Sequence, residues 1–215
     1  MATDRLDEVL DAAYDCLTRY GVRRTTMDDI ASAMGVSRSA VYQYVRGKDD
    51  AFRLLAGRLH ERALGRAREA AAEYGAPHAE RVRGVLAVKL DLVLQLAGDS
   101  PHTAELLDEK ARLFGDICHT FVGELRRLLI SLFAEVATPT GVEPAEAADI
   151  CLALVVGLES SPDGRQLLAP ATDALLTGLL GGRVRTGSGS PVEPCGTARP
   201  ESGGCARRAD VAGAP

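Results

Sequence analysis

Between Arg24 and Lys48 the chain encodes two short helices and the turn between them in its local chemistry. Few arrangements other than a helix-turn-helix satisfy that stretch. Thr26 followed by Asp29 has the spacing of a capping box, which predicts a helix opening at Met27 with its first free amides satisfied by the threonine hydroxyl. Ile30, Ala31 and Met34 supply one apolar stripe along it. Gly35 can take the left-handed conformation that ends a helix, Val36 can turn into the core, and Ser37 is a good N-cap for a second helix reaching about Tyr44. On that second helix Val41 and Val45 lie four apart and are expected to face inward.

The residues left outside carry a particular chemistry. Arg38 can donate two hydrogen bonds to guanine O6 and N7, Gln43 can pair with the N6 and N7 edge of adenine, and the Ser39 hydroxyl adapts to either base. Thr26, Ser37, Tyr42 and Tyr44 offer hydroxyl protons to phosphate oxygens, and Lys48 adds a compact positive charge where the next helix begins. Arg23, Arg24 and Arg46 extend the basic edge. These residues predict a reader of double-stranded DNA whose second helix enters the major groove.

With these residues in register the chain resembles the TetR family of one-component transcriptional regulators. The resemblance is carried by Thr26, Ile30-Ala31, Gly35-Val36-Ser37, Tyr42-Gln43-Tyr44-Val45 and Lys48-Asp49, within roughly the first 60 residues. Tyr44 stands where histidine is usual in the family and Val45 where phenylalanine is usual. The resemblance implies an all-α fold with an N-terminal helix-turn-helix domain at 1–50 and a helical ligand-binding and dimerisation domain at 51–181. It also implies a homodimer closed by a four-helix bundle, and repression relieved by a small molecule. Residues 182–215 are expected to be a disordered tail.

The whole chain sets bounds on this reading. Its 215 residues, 46% of them hydrophobic, can build a core of Leu, Val and Ala. A net charge of −5 excludes a protein that holds nucleic acid by bulk charge, so affinity must come from the local patch of Arg23, Arg24, Arg38, Arg46 and Lys48. Asp4, Asp7, Glu8, Asp11 and Asp15 are expected on a solvated face of the first helix. Five cysteines without a C-x-x-C pair, and no charged-then-apolar leader, predict a reduced, cytoplasmic protein with no membrane span. Cys16, Cys118 and Cys151 are expected as small core residues; Cys195 and Cys205 fall in the tail.

Leu6, Val9, Leu10, Ala13, Leu17 and Tyr20 predict a helix over 4–20 that stops at Gly21. Phe52, Leu55, Leu59 and Ala63 predict a long linking helix from 48 to about 72, broken by Gly75 and Pro77. Helices are expected from about His78 to Leu96, from a Ser100-Pro101 cap to about Lys110, and from Arg112 to Ala137. Another is expected over Ala145–Glu159, and a last one to Leu180 whose regular part follows Pro170.

One helix-turn-helix reads few base pairs, which favours a dimer on a pseudo-palindrome. The leucine-rich last helices exceed one narrow core stripe, and Leu154, Leu158, Leu175, Leu176 and Leu179 are the expected dimer contacts. Polar interruptions at Lys89, Asp91, Gln95, Asp116, His119 and Thr120 fit either a pocket or exposed helix faces. Val93, Phe114, Phe121 and Leu125 are the expected lining of a site for a largely apolar effector. His60, His78, His102 and His119 form no catalytic or metal-binding motif, and no P-loop or G-x-S-x-G occurs, so no enzyme, cofactor or metal is expected. The alternative is a helical protein-interaction adaptor whose helix-turn-helix does not read DNA.

Overall fold

A computed structural model of the chain describes residues 2–98, 102, 110–136 and 141–180. Within this unit the elements are helical and follow in order. They are α1 (Ala2–Arg24), α2 (Met27–Met34), α3 (Arg38–Val41), α4 (Lys48–Ala71), α5 (His78–Gly98), α6 (Lys110–Ala134), α7 (Pro144–Glu159) and α8 (Gly164–Leu180). The tail with Cys195 and Cys205, and the short helix expected after Ser100-Pro101, lie outside the described residues.

Two apolar clusters organise the helices. The smaller closes the head: Val9, Ala13 and Cys16 of α1 meet Met27, Ile30 and Ala31 of α2, with Val41, Val45 and Ala51 completing it. The larger runs from Leu10 and Leu17, through Phe52 and Leu55, to Phe121, Phe133, Val155 and Leu176. Both share α1 and α4, since each helix turns one face to the head and another to the body. Arg58 of α4 reinforces this junction, donating to the Asp7 carbonyl at 3.1 Å and to the Asp11 carboxylate at 2.6 Å. Asp7 and Asp11 therefore bind the head to the linking helix rather than facing water alone. Tyr20 is likewise not in the core: it is 42% exposed.

The helix ends follow their residues. Gly21, at φ 81 and ψ 169, breaks α1 where expected, leaving one further turn to Arg24. Pro144 occupies the first turn of α7, where its missing N–H leaves no bond unmade. In α8, Pro170 does not divide the helix, which runs unbroken from Gly164. Pro170 and Gln166 both lie on the exposed side, so the carbonyl that lost its partner faces solvent. Helix α6 ends at Ala134, earlier than expected, and bends near its start at Phe114, with φ −152 and ψ 30.

Candidate nucleic-acid interface

The head is built from its caps outward. Thr26 Oγ1 accepts from the Asp29 amide at 3.2 Å while the Asp29 carboxylate accepts from the Thr26 amide at 2.8 Å, the reciprocal capping box. These hydrogen bonds from Thr26 hold the Asp29 carboxyl below its ordinary pKa. Gly35 ends α2 in the left-handed conformation at φ 65, which a β-carbon would strain. Ser37 Oγ then accepts from the Ala40 amide at 3.3 Å and opens α3.

Helix α3 is shorter than the expected span to Tyr44. Regular α-helix stops at Val41, and the amides of Gln43 and Tyr44 donate back three residues, to Ala40 and Val41, at 3.2 and 3.0 Å. The chain continues as tight single turns because Val41 and Val45 must both reach the head core, at 0% and 2% exposure. The outer face that results is largely the expected one: Arg24, Thr26, Ser37, Arg38, Ser39, Tyr42 and Gln43 are exposed. Tyr44 is half-buried against the head cluster. Lys48, also half-buried, donates to the Arg23 carbonyl at 3.2 Å. It thereby ties the start of α4 to the end of α1.

Arg38 is held by two partners. Its guanidinium donates to Asp28 of α2 at 3.0 Å and to the Tyr42 hydroxyl at 3.1 Å, and lies 5.6 Å from the Tyr42 ring centroid. Ion pair and ring hold the side chain extended over the α2–α3 edge, where both charges stay more than half exposed. The i,i+4 relation of Arg38 and Tyr42 was readable; the Asp28 contact, across the turn, needed the fold.

Residues 9–55, which include this whole arrangement, match the family model of bacterial regulatory proteins of the tetR family. That match covers the helix-turn-helix head and not the body. Solved structures agree on the fold along most of the chain. A transcriptional regulator of Pseudomonas aeruginosa PAO1 is 20% identical, with 85% of this chain and 93% of that chain covered and a TM-score of 0.65. SmeT, the repressor of the Stenotrophomonas maltophilia multidrug efflux pump SmeDEF, is 20% identical over 89% of this chain and 97% of its own, at a TM-score of 0.59. FadR of Bacillus subtilis, solved with stearoyl-CoA, is 16% identical over 82% of this chain and 98% of its own, at a TM-score of 0.55. No curated protein matches the chain.

The body holds two adjoining hollows that share His60 and Phe121. One is a cleft of about 190 Å³ between α4 and α6, lined by Gly57, Glu61, Leu64, Asp116, Ile117 and Thr120 as well. The other is a cavity of about 70 Å³ between α5 and α6 whose wall includes Val93, Phe114, Phe121, Leu96, Lys89 and Glu159. Three of the four expected lining residues meet there. Leu125 does not: it lies a turn beyond Phe121, wholly buried in the core. His60, in contact with the Phe121 ring edge-on at 5.2 Å, donates from Nδ1 to the Ala56 carbonyl at 2.7 Å. Its Nε2 is 3.4 Å from Cys118 Sγ.

The polar interruptions of α5 and α6 separate by location. Lys89 is 7% exposed and paired with Glu159, Asp91 pairs with Arg165 at 2.8 Å, and Asp116 accepts from Arg53 at 2.8 Å. Arg53 holds the Asp116 carboxyl down at about 2. Gln95 and His119 are exposed. Cys16 and Cys151 are core residues as expected, and burial pushes the Cys151 thiol up to about 12. Among the described residues no group of His, Cys, Asp and Glu could hold a metal ion, and no helix is long and apolar enough to cross a membrane.

On α7 and α8 the unpartnered apolar face differs from the expected one. Leu158, Leu176 and Leu179 are buried within the subunit, at 8%, 3% and 6% exposure, because α7 and α8 both need them to cover α5. Leu154 and Leu175 are half-buried. They belong instead to two strips that face outward: Ile150, Ala153, Leu154 and Gly157 on α7, and Leu167, Ala171, Ala174, Leu175 and Gly178 on α8. Each follows three- and four-residue spacing.

Proposed function

We propose that this protein is a ligand-responsive regulator of the TetR family that binds a pseudo-palindromic operator as a homodimer and represses transcription until a small, largely apolar effector releases it. Residues 1–50 form the DNA-binding head, with Arg24, Thr26, Ser37, Arg38, Ser39, Tyr42, Gln43, Tyr44 and Lys48 at the interface. Residues 51–181 bind effector and partner, in the cytoplasm, with no catalytic step. The observation that carries this reading is the exposed Arg38–Tyr42 pair beside Ser39 and Gln43, on an edge held in place by two satisfied caps. Arg38 and Gln43 bring base-edge chemistry; the hydroxyls around them bring phosphate chemistry.

The two outward strips of α7 and α8 support the dimer. They are apolar, and Gly157 and Gly178 leave open space beside them, so a second copy of the helix pair can approach closely to form a four-helix bundle. The cavity supports the effector. Binding that favours a conformation with mis-spaced heads must weaken operator affinity by the same factor. Arg53 and Arg58, both on α4, join that helix to α6 and to α1 and give the displacement a path.

Footprinting on the native chromosome, followed by titration of salt on the recovered site, tests the reading. Arg38→Ala should cost about tenfold or more in operator affinity and leave unspecific binding nearly unchanged, whereas Lys48→Ala should weaken all sequences alike. A protein-interaction adaptor would give no protected, symmetric stretch and no linear loss of affinity with log salt.

A further inference from the structure

The cavity between α5 and α6 contains a charge pair that packing does not require. Lys89 lies mid-way along α5, flanked one turn on either side by Val85, Leu86, Leu92 and Val93, and its ammonium meets the Glu159 carboxylate at the cavity wall. Burying such a pair costs roughly what its attraction returns, and an apolar pair of the same volume would serve the core as well. The two members are held unequally. The Lys89 side chain is 9% exposed and cannot withdraw without dragging its charge past apolar side chains; Glu159, 19% exposed, is the last residue of α7 and borders the Ser160–Asp163 loop. His60 is engaged by Ala56 and faces Cys118, which leaves Lys89, among the described residues, as the cation that an entering group meets on this wall.

We propose that the cavity takes an amphipathic acid, whose carboxylate pairs with Lys89 in place of Glu159 while its apolar body lies on Leu92, Val93, Leu96, Phe114 and Phe121 and continues past Phe121 into the adjoining cleft of about 190 Å³. This inference rests on the cavity being the effector site. An incoming anion beside an intact pair would put two carboxylates on one ammonium, so Glu159 must leave, and its position at a helix end lets it rotate into water. A neutral ligand leaves the pair as it is. A cationic ligand would have to expel Lys89, the less mobile member. Departure of Glu159 unpins the end of α7, the helix that carries one of the two outward strips, which links occupancy of the cavity to the relation between subunits.

Calorimetric titration of the full chain with octanoate, octanol and octylammonium tests this. Octanoate should bind tightest, by about tenfold over octanol, because Lys89 keeps a carboxylate partner while the released Glu159 regains its hydration. Lys89→Met should bring octanoate down to the octanol level or below it, since Glu159 remains and repels the acid, without changing octanol. Glu159→Gln should tighten octanoate, because the competing carboxylate is gone, and leave octanol unchanged. If either single variant fails to fold, the neutral double variant Lys89→Met with Glu159→Gln should bind octanoate no more tightly than octanol. The inference is overturned if octanol or octylammonium matches octanoate, if Lys89→Met leaves octanoate binding intact, if Glu159→Gln weakens it, or if no probe binds. Operator footprinting without any probe is scored separately. A footprint with no acid binding sinks this inference alone; acid binding with no footprint sinks the DNA reading alone.

Discussion

Thr26→Ala is the most direct probe of how the sequence places the proposed DNA-facing edge. The change removes the Oγ1 that accepts from the Asp29 amide at 3.2 Å and the hydroxyl that donates to the Asp29 carboxylate at 2.6 Å, and leaves the bond from the residue 26 amide to that carboxylate. The site is exposed, so water replaces the lost partner and no cavity opens. The loss should therefore be that of an N-cap, about 1 kcal/mol within a range of roughly 0.5–2. Helix α2 is only eight residues long and cannot hold itself without its cap and its buried Met27, Ile30 and Ala31. Hydrogen exchange of the α2 amides should accelerate about fivefold, the factor that corresponds to about 1 kcal/mol, and urea unfolding should report the same deficit. Thr26→Ser, which keeps the hydroxyl, should stay near the parent.

A pH series sharpens the test. Hydrogen bonds from Thr26 hold the Asp29 carboxyl low in the folded state, so the stabilisation they give is complete above the unfolded carboxylate pKa and is lost as pH falls through the lowered folded value. The gap between parent and Thr26→Ala should accordingly be full at neutral pH and narrow in acid. A parent and Thr26→Ala that unfold together, or a Thr26→Ser as damaged as Thr26→Ala, would refute the capping argument.

Two further outcomes follow. The Asp116 carboxyl, held at about 2 by Arg53, should remain ionised in acid well below its ordinary value; its contribution is present above the unfolded pKa and is lost only as pH falls toward about 2, which carboxyl chemical shifts should show, and Arg53→Ala should return the titration to the ordinary range. Gly178→Arg, set in open space on the outward strip of α8, should leave helix content unchanged and convert the proposed dimer to monomer in sedimentation; a dimer that survives the change places the interface elsewhere.

Much of the head was legible because its determinants are local. A capping box spans three residues, a terminal glycine acts on its own turn, and Val41 with Val45 mark an inward face by spacing alone, so the sequence by itself determined the two caps, the turn at Gly35 and most of the outward residues. It likewise determined that the chain is helical and where Gly21, Pro77 and Pro144 begin or end helices. Only the tertiary structure decided which apolar face each helix turns inward. Leu158, Leu176 and Leu179 satisfy a dimer stripe and a core stripe equally well in sequence, and the position of α5 against them is what buried them. The same holds for charges. Arg58 finds Asp7 and Asp11, Arg38 finds Asp28, and Lys89 finds Glu159, across separations of ten to seventy residues at which no spacing rule applies. Helical periodicity tells a side chain which face of its own helix it occupies; which partner waits there is fixed by how the helices pack, and that is a property of the whole chain.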